Sequence, residues 1–227
     1  MASGRPGTAA PRLTPLEFGD LSSLEASTFS DAGGDDLEHA ELRNLCIEDL
    51  RWETRRRVDA SLLSGLSGTS WRARGLTVTD TRLERLDLLS ISAPEASWRD
   101  VEVHASRIGS LELYDANFRR VAFVGCKLGF VNLRGADLAD IAFTDCVLED
   151  LDLMRATASR VALAGCRIER LEASHAHLSD VDLRGAEIAD ISGLEGLRGA
   201  TIGYDQLLDL APVFAGRLGI RVEDGTT

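Results

Sequence analysis

The chain has 227 residues, a net charge of −12 and a sequence pI near 4.8. That is enough length for one domain with a real core and the wrong charge for holding nucleic acid directly through its phosphates. The four cysteines show neither CxxC nor paired spacing, so no disulfide framework or zinc site is signalled, and the absence of an h-region or a long apolar run points to a reduced, cytoplasmic protein with no membrane partner.

Met1–Arg12, rich in Gly, Pro, Ala and Ser without an apolar period, reads as disordered. Leu13–Leu37 is acidic, with scattered Leu21, Leu24 and Phe29 and a Gly33-Gly34 break. Residues 1–39 are therefore expected to form a disordered or loosely docked acidic segment. A five-residue repeat begins near Ala40, with Ala40-Glu41-Leu42, Leu45-Cys46-Ile47 and Leu50-Arg51-Trp52. Its phase is one residue off from that of the later units. The shift must be absorbed between Arg55 and Trp71, and Ser61–Gly68 is the expected place.

From Leu76 to about Ile191 the units run in phase. Each has Phe, Leu or Ile at its centre and a small or branched apolar residue two places earlier. A helix repeats at 3.6 and a strand at 2, so a period of five is neither. It describes a short extended piece and a corner, and four pieces close a square of about twenty residues. Residues twenty apart should then stack. Cys126, Cys146 and Cys166 form one column with Ser106 and Ala186, and Ala96, Ala116, Ala136, Ala156 and Ala176 form a second. Val101, Val121, Ile141, Val161 and Val181 form the third, and Leu111, Val131, Leu151, Leu171 and Ile191 the fourth. Two opposite columns are small and two are large and branched, as a four-sided solenoid requires.

Ala136-Asp137-Leu138-Ala139-Asp140 and Ala116-Asn117-Phe118 carry a resemblance to the pentapeptide-repeat family, whose unit is Ala-Asp/Asn-Leu-x-x. The resemblance implies an all-β fold, a right-handed quadrilateral β-helix. With the repeat placed at residues 40–195, residues 196–227 are left for a C-terminal helical cap and a short strand. Asp205–Leu218 has helical spacing, with Pro212 expected to kink it or split it in two, and Gly219 suits its stop. Ile220-Arg221-Val222 reads as a final strand.

No Ser/His/Asp, Cys/His or paired-carboxylate set has a motif around it, so neither catalysis nor a cofactor is expected. His175 and His177 lack a third ligand in fixed geometry, so no metal site is expected. The cysteine column reads as packing, whereas Cys46 should point outward as a free thiol. One wall carries Ala122, Ala142 and Ala162, with Val124 and Ala164 beside them. Either the chain's own N-terminal segment covers it, or it is a partner surface, or it is a tolerated neutral face.

Residues 51–135 are net +4 and residues 136–195 net −8. Asp137, Asp140, Asp145, Asp150, Asp152, Asp180 and Asp190 could therefore form an acidic surface. The main expectation is a non-catalytic interaction scaffold for an unidentified protein. The alternative comes from the resemblance: some members mimic DNA, bind a type II topoisomerase (DNA gyrase) and change its quinolone sensitivity. Leu207, Leu210, Phe214 and Leu218 should cap the last coil. Capping by a monomer is preferred to capping combined with a C-terminal homodimer, the arrangement implied by the topoisomerase-protecting relatives.

Overall fold

A computed structural model of the chain describes residues 7–23 and 36–223. The chain winds as a parallel β-solenoid of about eight turns, followed by one C-terminal helix. One turn shows how the sequence builds the rest. Asn117–Val124 is extended but bends at Arg120, whose φ is 55°. Gly125 (φ 62°) turns the next corner, Lys127–Asn132 is extended, and Gly135 (φ 66°) closes the coil. Each bend resets the period-2 alternation, which is how a five-residue period becomes strand.

Coils stack by parallel pairing. Val101, Val121, Ile141, Val161 and Val181 lie one above another in a twelve-stranded sheet. Leu111, Val131, Leu151, Leu171 and Ile191 do so in an eight-stranded sheet. These columns and the two small ones are buried, and so are Phe118, Phe123, Leu128, Leu138, Phe143, Leu148, Leu153 and Ile168. Aromatic rings stack along the axis, Trp98 on Phe118 at 5.0 Å and Phe123 on Phe143 at 4.7 Å.

The small columns have a polar duty as well. The hydroxyl of Ser106 donates to the His104 carbonyl (2.8 Å) and accepts the amide of Leu86 in the preceding coil (3.1 Å). Cys126 repeats this one coil later: its thiol donates to the Val124 carbonyl (3.5 Å) and its amide donates to Cys146 Sγ (3.4 Å). The three stacked thiols are buried packing groups. Hydrogen bonds with Cys146, together with burial, push the Cys126 and Cys166 thiols up, and the same bonds pull Cys146 down to about 3, so the packing assignment rests on the burial of all three. Cys46 is exposed and unbridged.

The phase shift lies elsewhere than Ser61–Gly68. Pairing runs at an offset of 21 from Cys46↔Ser67 to Arg51↔Arg72 and at 20 from Arg57↔Thr77 onward. Leu62–Ser64 and Ser67–Arg72 are already laddered strands. The extra residue sits in the corner 52–56, five residues between strands where the next coil has four, 73–76. A corner lies outside the ladders, so it takes an insertion without flipping side chains through the sheet. One consequence is Arg56, buried in the place Leu76 and Ala96 take later, with its guanidinium over the Trp52 ring at 4.7 Å. Gly68 in the same region has φ 144°, and a Cβ there would fall on the Ile47 carbonyl.

At the far end a short 3-10 turn, Leu194–Leu197, shortens the pairing offset to 19 (Val181↔Ala200). The helix, α1, spans Tyr204–Arg217 unbroken, so Pro212 neither splits it in two nor ends it. Pro212 and Leu208 both face solvent, so water can reach the carbonyl that the proline leaves unpaired. Gly219 stops the helix at φ 71°. Residues 220–222 form no strand and are exposed, because the preceding coil edge is already occupied by α1.

Candidate interaction surfaces

The alanine wall is a register effect. Ala122, Ala142 and Ala162 face each other across three coils of the twelve-stranded sheet, with Val124, Thr144 and Ala164 two residues on. Residues 7–23 lie along this wall from the last coil to the first. Thr8 Oγ1 meets Thr201 Oγ1 at 2.6 Å. The Ala9 amide donates to Asp180 (3.2 Å) and the Arg12 amide to Asp140 (3.0 Å). Leu13, Thr14 and Pro15 roof a cavity of about 190 Å³ over Asp100, Arg120 and Ala122. Phe18 lies under the Arg82 guanidinium at 5.5 Å, and the Ser22 amide donates to the His39 carbonyl at 2.8 Å.

Residues 7–12 therefore depart from the disorder expected of Met1–Arg12. Carboxylates of the solenoid hold their backbone amides, a hold that leaves no apolar pattern in the segment. Residues 1–6 lie outside the described residues, as do Leu24, Phe29, Gly33 and Gly34. Val124 is half-buried and Ala164 exposed, to one side of the row that the strap contacts.

The seven aspartates do not form one face. By register, Asp140 and Asp180 share a column, Asp150 and Asp190 share another, and Asp137, Asp145 and Asp152 each stand in their own. Most are neutralised between neighbours. Asp140 takes both ends of the Arg160 guanidinium at 2.6 and 2.8 Å. Asp152, nearly buried, pairs with Arg134 at 2.6 Å, and Asp137 with Arg119 at 2.6 Å. Asp150 pairs with Arg170, and Asp190 with Arg217 at 3.2 Å. The Arg160 guanidinium beside Asp140 holds its carboxyl below the usual carboxylate range. Asp100 and Arg120 form a similar bidentate pair in the same column.

α1 turns one side to the last coil. Leu210 is 3% exposed, and Val213 and Phe214 pack partly buried against the core. Gln206, which sequence patterning does not single out, fixes the helix. Its Nε2 donates to the carbonyls of Leu183 (2.7 Å) and Ala186 (2.6 Å), and its Oε1 accepts the Gly203 amide (2.7 Å). The other side is apolar and open: Tyr204, Leu207, Leu208 and Leu218 are exposed, Leu218 at 69%, and Ile220 and Val222 continue the patch. Leu207 and Leu218 thus stand on the outer side, apart from Leu210 and Phe214. A cleft of about 620 Å³ opens where α1 meets the strand Glu187–Ser192, with Ile188 and Leu210 on its floor.

Among the described residues no group of three or more His, Cys, Asp or Glu is placed to hold a metal ion, and no helix is long and apolar enough to cross a membrane. His175 stands at a left-handed corner (φ 58°) and His177 opens the next strand.

No curated protein sequence matches the chain. Among solved structures it is similar to full-length QnrB1, a plasmid-mediated fluoroquinolone resistance protein, at 15% identity and a TM-score of 0.38, over 83% of this chain and 100% of that one. It is also similar to HetL, a pentapeptide repeat protein involved in heterocyst differentiation regulation from the cyanobacterium Nostoc sp. strain PCC 7120. There the identity is 19% and the TM-score 0.31, over 74% of this chain and 89% of that one. The family model described as "Pentapeptide repeat region" matches residues 96–172. That stretch holds the coils with the most regular columns, and the match identifies residues 96–172 as a pentapeptide-repeat region within the longer solenoid.

Proposed function

We propose that this protein is a non-catalytic interaction scaffold, and that its docking face for a protein partner is the outer side of α1. The supporting observation is the stripe Tyr204, Leu207, Leu208, Ala211 and Leu218. These residues follow helical spacing on the side turned away from the coil that α1 caps. Capping needs only Leu210, Val213 and Phe214. Exposed large apolar residues in a contiguous stripe mark a contact surface, and a stripe on one helix at the end of a rod can meet its own copy about a two-fold axis. A second copy is therefore the occupant to test first.

Light scattering on the full chain is expected to give twice the chain mass, and Leu208→Glu to halve it without lowering the melting temperature. A wild-type mass equal to one chain at every concentration rules out self-association there. In that case capture of a heterologous protein that is lost in Leu208→Glu is the remaining support.

The DNA-mimic reading draws less support. A mimic of duplex phosphate needs regularly spaced, unneutralised charge along one face. The aspartates here occupy five columns and mostly hold arginines. No change in supercoiling by purified gyrase at micromolar protein is the expected result, and inhibition or protection from a quinolone would restore that reading.

A further inference from the structure

We propose that the alanine wall and the aspartate row beside it form a binding groove for an extended peptide, and that residues 8–18 of this chain are its resident occupant. The proposal rests on the scaffold reading above and gives it a second surface. The strap is held through its backbone. Ala9 and Arg12 each donate an amide to a carboxylate of one column, Asp180 and Asp140. Those carboxylates stand two coils apart, about 9.6 Å at the spacing of paired strands, and three residues of extended chain span about 10 Å. The two periods match, so an extended segment can present an amide to every second coil.

Position 15, which would come next opposite Asp100, is a proline and has no amide to give. There Asp100 is taken by Arg120, and the cavity of about 190 Å³ opens between strap and wall. Ala122, which lines that cavity under Leu13, Thr14 and Pro15, leaves room for the segment, since a larger side chain there would lift it off the wall. The side chains of Ala9, Ala10, Arg12, Leu13, Thr14 and Pro15 are exposed, so the groove reads few of them. The chemistry it selects is an extended segment, neutral or basic, with free amides three residues apart and small residues between. A partner with such a segment has to displace the strap.

The test uses the full chain carrying Ala9→Pro and Arg12→Pro, which removes both donors in an exposed segment without touching the coils. Trypsin at Arg12 cannot report on this variant, so release is read by chymotrypsin cleavage at Leu13 and Phe18. A fluorescent peptide of residues 7–21 is then titrated into both proteins. Faster cleavage in the variant, and peptide binding at least about tenfold tighter than to wild type, are expected. The same peptide with proline at both positions should not bind. Unchanged cleavage overturns the claim that the amides hold the strap. Released strap with no peptide binding, or equal binding of the two peptides, overturns the groove. Neither result bears on the mass or capture experiments at α1, so the two proposals fail separately.

Discussion

At the scale of the residue, the corners decide where stability is lost and recovered. Sixteen non-glycine residues among those described hold positive φ, at a cost of about 1 kcal/mol or more each. Many persist because the corner amide is fixed to the next coil, as Ala105 is to the Val124 carbonyl at 2.9 Å. Aspartate and arginine recover part of the cost through ion pairs between coils, but alanine has nothing to offer. Ala105 (φ 45°) stands in a column with Gly125, Gly165 and Gly185, so Ala105→Gly should stabilise the protein by about 1 kcal/mol and raise Tm by a few degrees in calorimetry. Asp140 gives a pH test. Its carboxyl is held low in the folded state by Arg160. The stabilisation is therefore present above the ordinary carboxylate value of about 4 and is lost as pH falls through the lower folded value. The Tm gap between wild type and Asp140→Asn should be widest at neutral pH and close on acidification below about 4. A gap independent of pH would show that the ion pair is not its source.

At the scale of the element, a corner and a strand respond differently to the same change. Deleting Thr54 shortens the long corner 52–56 to the length of its neighbours and should leave a cooperative melt with a small shift in Tm. Deleting Ala162 from the strand Thr157–Ala164 forces a register slip that turns core residues outward, and should cost roughly 3 kcal/mol or more. The contrast bears on what could be read from sequence. The columns Cys126/Cys146/Cys166 and Val101 through Val181 were legible because stacking demands like sizes twenty residues apart. The position of the inserted residue was not, because phase on either side constrains only the net shift, and Arg56 in an inward place looks like an ordinary polar corner. The unbroken helix through Pro212 was equally hidden, since it depends on which side faces water. Cover by the N-terminal segment was one reading the small residues of the wall allowed. The residues that provide it and their path could not be read, since the amides that hold them leave no pattern and their acceptors lie more than a hundred residues away.

At the scale of the whole molecule, nearly every contact joins neighbouring coils, and stability should therefore be close to additive along the rod. The strap is the exception, joining residues 193, 171 and 128 positions apart. It ties the first coil, the middle and the last into one unit. Urea unfolding followed by circular dichroism should accordingly be a single sharp transition in the wild type. In the Ala9→Pro, Arg12→Pro protein it should broaden or split as the ends come apart first. An unchanged m-value would mean that the coils were coupled without the strap.

The same strap sets an order of events during synthesis. Residues 8–12 leave the ribosome before the coils described above, yet their acceptors at Asp140, Asp180 and Thr201 are made more than a hundred residues later. Coils can stack one upon another as they emerge, each finding its template in the one before. The earliest segment must wait, extended and unseated, until the final coil is in place. Its docking then marks the solenoid as complete, and a chain interrupted within the solenoid would carry the wall uncovered.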